Sequence, residues 1–176
     1  MDLLLPTAPW LMAAAALVSA GACLAARRAV PWQGRQAAVA MAVGMLVVAT
    51  GRTGPLGALL VGALLLVSGM IGTMGVRGAA SAATCCHRAL GSLVMALCAI
   101  HGAGGSTGPG SAPAGHAGHG FAGALGALVL LGTLGIVAWT VVTTLRPAAH
   151  LGRAARPLAV ESWAMAIGVL AMSVAG

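Results

Sequence analysis

Residues 55–76 read PLGALLVGALLLVSGMIGTMGV, with no charged side chain between Arg52 on one flank and Arg77 on the other. A helix of that length covers roughly 33 Å, enough to cross the hydrocarbon core of a bilayer. Gly54-Pro55 breaks the chain before it, and proline suits the first turn of a new helix. The rest of the chain follows the same plan.

Eight of the nine arginines fall into three clusters separated by apolar runs: Arg27, Arg28 and Arg35; Arg77 and Arg88; Arg146, Arg153 and Arg156. Only Arg52 lies elsewhere. The runs between them predict helices over 9–26, 36–51, 54–76, 86–102, 121–145 and 157–175. The second is short, since Arg35 and Arg52 leave it 16 residues, roughly 24 Å of helix. Snorkelling arginines or a re-entrant path would accommodate it. The 17 residues 104–120, rich in Gly, Ser and Pro, read as a linker. With six spans, the clusters occupy the loops on one face, and the positive-inside rule places both termini outside. Trp10, Trp32, Trp139 and Trp163 sit near predicted interfaces, where amphipathic rings collect. A reporter active only in the periplasm is expected to be active at the C-terminus and in the 104–120 segment. An inactive C-terminal fusion in a stably expressed protein would break the six-span topology.

Composition agrees. At 60% hydrophobic residues, 6% charged and a mean hydropathy of +1.01, the chain is unlike a soluble domain, where about 25% is charged. The net charge of +7 would suggest nucleic acid in a soluble protein. Its placement between apolar spans assigns it to membrane topology and excludes a nucleic-acid partner. All basic residues except histidine are Arg, and with 27 Gly this points to a GC-rich bacterial genome and a bacterial plasma membrane. The 176 residues make a single transmembrane domain, an all-α polytopic bundle in contact with lipid. No basic residue precedes Arg27, so the first segment reads as a retained helix, because a cleavable signal peptide needs a positive n-region.

A short internal similarity links Ala40-Met41-Ala42-Val43-Gly44-Met45-Leu46 to Ala164-Met165-Ala166-Ile167-Gly168-Val169-Leu170. Both place Ala and Gly four apart, a spacing that lets helix backbones approach closely in a membrane. The Gly44 and Gly168 faces are therefore candidates for close packing, within the chain, against a second copy, or against a partner.

Candidate chemistry is sparse. Met41 and Met45, and Met70 and Met74, are i,i+4 pairs, each on one helix face. With Met165 they offer thioethers, which favour Cu(I), although methionine also fills irregular cores. Cys85-Cys86-His87 is the densest group of soft ligands, without the C-x2-C spacing of a zinc site. Cys23 and Cys98 lie inside apolar runs, so the four cysteines form no disulfide framework. His116 and His119 in the linker, with His101 at the end of the fourth helix, could meet a borderline metal from outside. His87 and His101, 14 apart, share a helix face as in transmembrane b-type cytochromes, but no matching pair stands on another helix. Glu161 is the one acidic residue within a predicted span, a functional candidate or an ion-pair partner of Arg153 and Arg156. No catalytic triad, H-E-x-x-H or phosphate loop is present, so the residues point to a non-enzymatic protein.

In size, helix count and Met-rich helices the chain resembles an actinobacterial family of small polytopic membrane proteins catalogued as a domain of unknown function. Members often carry a His early in a helix followed by Met at helical spacing. His87 fits in the fourth helix, with Leu90, Val94 and Leu97 where Met would be expected. Met165 fits in the sixth with Ser162 in place of His, and Met41 and Met45 fit in the second with Ala38 in place of His. The resemblance implies a membrane location. The residues suggest a copper-handling protein: His101, His116 and His119 would collect the ion, and Met41, Met45, Met70, Met74 and Met165 would pass it toward Cys85, Cys86 and His87. An assembly subunit of a membrane complex is the alternative, and a haem carrier a third.

Overall fold

In the computed structural model, described for residues 7–26, 32–52, 54–74, 82–105, 117–145 and 155–175, each apolar run is a helix. These are α1 (Ala8–Ala25), α2 (Trp32–Ala49), α3 (Pro55–Thr73), α4 (Ala82–Gly105), α5 (Ala117–Leu145) and α6 (Ala155–Ala175). There is no strand among the described residues. Breakers act where expected. Gly54 caps α3 in an extended conformation with Pro55 in the first turn. Before it Gly51, at φ +62°, turns the chain after α2, a conformation glycine adopts without the strain a Cβ would bring.

The helices form a closed ring. Each packs on its successor, and α6 returns to α1. The α3/α4 and α1/α6 pairs are the most intimate. α4 also touches α2 and α6, so it is the most enclosed helix, and α5 the least. Apolar residues lie on both surfaces, but their sizes differ. The outside carries Leu56, Leu60, Leu130, Leu131 and Leu134, the inside Ala16, Ala37, Ala38, Ala96 and Ala166. Large residues toward lipid and small ones between backbones is the packing of a membrane bundle, where burying Leu gains little over contact with lipid. Several hydroxyls bond within their own helix: Thr133 Oγ1 donates to the Val129 carbonyl at 2.7 Å and Ser162 Oγ to the Leu158 carbonyl at 3.0 Å, satisfying groups that have no water to turn to, whereas those of Ser92 and Thr140 are buried without a partner among the described residues.

Five of the six helices are long and apolar enough to cross a membrane. α2 is not among them, because Gln33, Arg35 and Gln36 fall in its first turns. It begins at 32, four residues before the expected 36, which brings Arg35 onto the helix. α4 begins at 82 rather than 86, extended by Ala82 and Ala83, good helix formers. His87 and Arg88, already within the expected 86–102 span, therefore lie in its second turn rather than its first, and Arg88 is buried rather than at the exposed end its cluster suggested. α5 begins at Ala117, inside the expected linker; nothing in Gly118 or Gly120 explains the extension.

The Gly44 and Gly168 faces are occupied within the chain. A Cβ on Gly44 would meet the Leu65 side chain of α3 at 3.4 Å, and one on Gly168 would meet Met45 of α2 at 2.8 Å and Ala15 of α1 at 3.4 Å. Neither glycine is open to another molecule. The similar segments of α2 and α6 do not pack through each other's glycines.

Candidate functional site: a buried ion pair above a methionine core

Arg88 and Glu161 lie six residues past the first residue of α4 and of α6, at the same end of the bundle. That depth is roughly 9 Å along each helix. Arg88 Nε donates to Glu161 Oε1 at 2.7 Å and Nη2 to Oε2 at 2.5 Å, a two-pronged pair with both side chains almost fully enclosed. The planar guanidinium fork matches the carboxylate, so one helix register satisfies both. Separating the two charges in so poorly solvated a place would be expensive, which ties α4 to α6 in one alignment. Among the described residues Glu161 therefore pairs with Arg88 rather than with Arg156. Arg156 is exposed, and Arg153 lies outside the described residues.

Two further groups share this end. Cys23, 4% exposed near the end of α1, lies within electrostatic reach of Glu161, Arg88 and Arg35. Arg35, in the first turn of α2, sets its guanidinium 5.4 Å from the ring centroid of Trp32. The Arg88 Nη1 and Arg35 Nε atoms are buried and have no hydrogen-bond partner among the described residues.

One turn deeper the chemistry changes from charged to soft. On α4 the turn after Arg88 brings Gly91, and on α6 the turn after Glu161 brings Met165. A Cβ on Gly91 would lie 2.6 Å from Met165 Sδ and 3.4 Å from Met41 Sδ. The two sulfurs thus converge on one point above Gly91, separated by no more than those distances together. Met45 Sδ packs on Gly168. Met12, Met95 and Met172 complete an enclosed cluster with Met41, Met45 and Met165, among Ala16, Leu65, Val94, Ile136 and Val169. Six thioethers from α1, α2, α4 and α6 share one core.

His87 points elsewhere. Its ring stacks on Trp139 of α5, centroids 6.1 Å apart and planes 14° from parallel. Its two nitrogens and the neighbouring Thr140 hydroxyl are buried without hydrogen-bond partners among the described residues. No other described histidine side chain stands on a facing helix, so the ring has no bis-histidine counterpart for a haem among those residues.

The structure brings together Met41, Met45 and Met165 and separates the other candidates. Met70, on α3, and Met74, the extended residue just past its end, are 66% and 63% exposed and lie outside the methionine core. Cys85 is buried and Cys86 exposed, as the 100° step between neighbours on a helix requires. None of the four cysteines is in a disulfide. His101 is half-buried toward the other end of α4, roughly 21 Å along the helix from His87. His119 falls in the first turn of α5, where side chains lie outside the described ones, and His116 lies outside the described residues. No group of three or more His, Cys, Asp or Glu side chains is placed to hold a metal among the described residues. The Arg88 partnership, the Cys23 neighbourhood, Gly91, Met12, Met95 and Met172 were not read from the sequence. A spaced series of small and soft residues (Gly91 with Met95, Met165 with Met172) is the signal that carries part of it.

The fold defines an all-helical, multi-pass membrane bundle with a charged pair and a thioether core inside it. No family model, curated protein or solved structure matches the chain.

Proposed function

We propose that this is a non-enzymatic plasma-membrane protein of bacterial origin, within the actinobacterial group it resembles, whose bundle handles Cu(I) through methionine thioethers. The observation that carries the reading is the convergence of Met41 and Met165 sulfurs above Gly91, with Met45 and Met95 in the same core. Thioethers are neutral, soft ligands that suit Cu(I) over harder divalent ions. Glycine at position 91 leaves the space that a Cβ would take from Met165. His101, with His116 and His119, would meet the ion at the outer end. Cys85, Cys86 and His87 diverge around α4 and do not form a common receiving site, and Met70 and Met74 face away from the path.

The expected result is a Cu(I)-dependent rise in melting temperature of the purified protein, because a ligand of the folded state stabilises it by mass action. Met41→Leu with Met165→Leu should remove most of the rise, while Met70→Leu with Met74→Leu should leave it unchanged. Leucine keeps volume nearly constant, so the fold should survive either pair. No Cu(I)-dependent shift in the parent would discard copper and leave packing as the role of the core.

A second reading, an assembly subunit, has one observation in its favour. α5 is the least enclosed of the helices and leaves Gly123 and Gly126 with nothing within 4 Å. Residues three apart share a helix face, and glycines there leave room for a second helix to approach.

A further inference from the structure

At the arginine-rich end, Arg88 pairs with Glu161, and Arg35 stands in the first turn of the neighbouring α2. α2 packs on α4 with Met41 over Gly91, one turn deeper than Arg88, so Arg35 lies at the same end of the bundle as Arg88 and Glu161. Arg88 spends Nε and Nη2 on Glu161 and keeps Nη1, a donor with two N–H bonds, enclosed and unpartnered in a side chain only 2% exposed. Arg35 likewise has an enclosed Nε, and neither atom has a partner among the described residues. Two enclosed donors beside an uncompensated positive charge are costly at low dielectric. The pairing that removes both costs is an anion with several acceptor oxygens, to which guanidinium geometry is matched.

Depth narrows its nature. Arg35 lies three residues into α2 and Arg88 six into α4, within roughly 9 Å of the helix ends. That is the level where a spanning helix meets the headgroups. Trp32, 61% exposed beside Arg35, is placed as an interfacial anchor. We infer that Arg35 and Arg88, together at the α1/α2/α4/α6 end of the bundle, bind a phosphate group. The phosphate belongs to an anionic lipid headgroup or to free phosphate; both present the same oxygens. The site is separate from the methionine core, and the inference stands without the copper reading.

The test uses full-length protein in a zwitterionic detergent, titrated in one arm with phosphatidylglycerol and in the other with inorganic phosphate. Melting temperature and native mass are the readouts. Phosphatidylglycerol is expected to raise the melting temperature and to remain bound in the mass spectrum. Arg35→Gln, which leaves the Arg88–Glu161 pair intact, should weaken that binding about fivefold, the effect of one basic residue at a membrane surface. Arg52→Gln, at the opposite end of α2, should not. A rise with inorganic phosphate equal to that with lipid assigns free phosphate as the ligand and upholds the site. No rise in either arm overturns it, and so does equal binding by Arg35→Gln and the parent.

Discussion

Glu161→Gln is expected to destabilise the protein by about 3–5 kcal/mol, the cost of removing one member of a buried ion pair and leaving the other charge enclosed without compensation. The amide keeps the shape of the carboxylate, so little of the loss is packing. What is lost is the charge that lets Arg88 lie 2% exposed between α4 and α6 with two hydrogen bonds of 2.5 and 2.7 Å. The double variant Arg88→Met with Glu161→Leu should recover much of the stability. Replacing both members of such a pair by apolar residues of similar volume is often neutral or favourable. Thermal melts of the parent, Arg88→Met, Glu161→Leu and the double variant give the coupling directly. If Glu161→Gln melts with the parent, the pair does not hold α4 to α6, and Arg88 is solvated by some other route.

That pair also shows where the sequence is opaque. The six helices follow from the alternation of arginine clusters with apolar runs, because the cost of a charge in hydrocarbon confines most charges to the ends. The same logic misplaces Arg88. Arg88, clustered with Arg77 at the start of the expected 86–102 helix, reads as a charge at the end of a span, and what pays for its burial is a carboxylate 73 residues away on another helix. One sequence carries no sign of that distance relation. The methionines divide in a comparable way. Met41 and Met45, and Met70 and Met74, have identical i,i+4 spacing, yet the first pair is enclosed and the second faces outward. Periodicity defines a face but not its direction when both sides of a helix are apolar. Met12, Met95 and Met172 join the core as single residues with no such spacing in their own helices, and only the ring order of the helices assembles them. Cys85 and Cys86 were adjacent in sequence and so looked like one site, whereas the helix sends them to different surroundings.

Gly168→Leu is expected to be the second most damaging substitution, and Gly44→Leu a milder one. The small-residue spacing marked both positions, but their surroundings rank them. At Gly168 even a Cβ would stand 2.8 Å from Met45 Sδ and Cε and 3.4 Å from Ala15 Cβ, between α1, α2 and α6. Met45 is a flexible side chain and can yield to one carbon, so Gly168→Ala should be tolerated with a small loss. The remaining carbons of leucine have to push against Ala15, in the intimately packed α1/α6 pair, where backbone must move. Overpacking of a closed core costs about 1–3 kcal/mol and occasionally more, and the upper part of that range is expected here. At Gly44 the three nearest atoms all belong to the Leu65 side chain, the first at 3.4 Å, so α3 gives way by a rotamer change before any backbone shift. Melting temperatures in detergent should therefore fall in the order parent, Gly168→Ala, Gly44→Leu, Gly168→Leu. A Gly168→Leu protein as stable as Gly44→Leu would mean that α1 and α6 separate easily, and that their close packing is not what closes the ring.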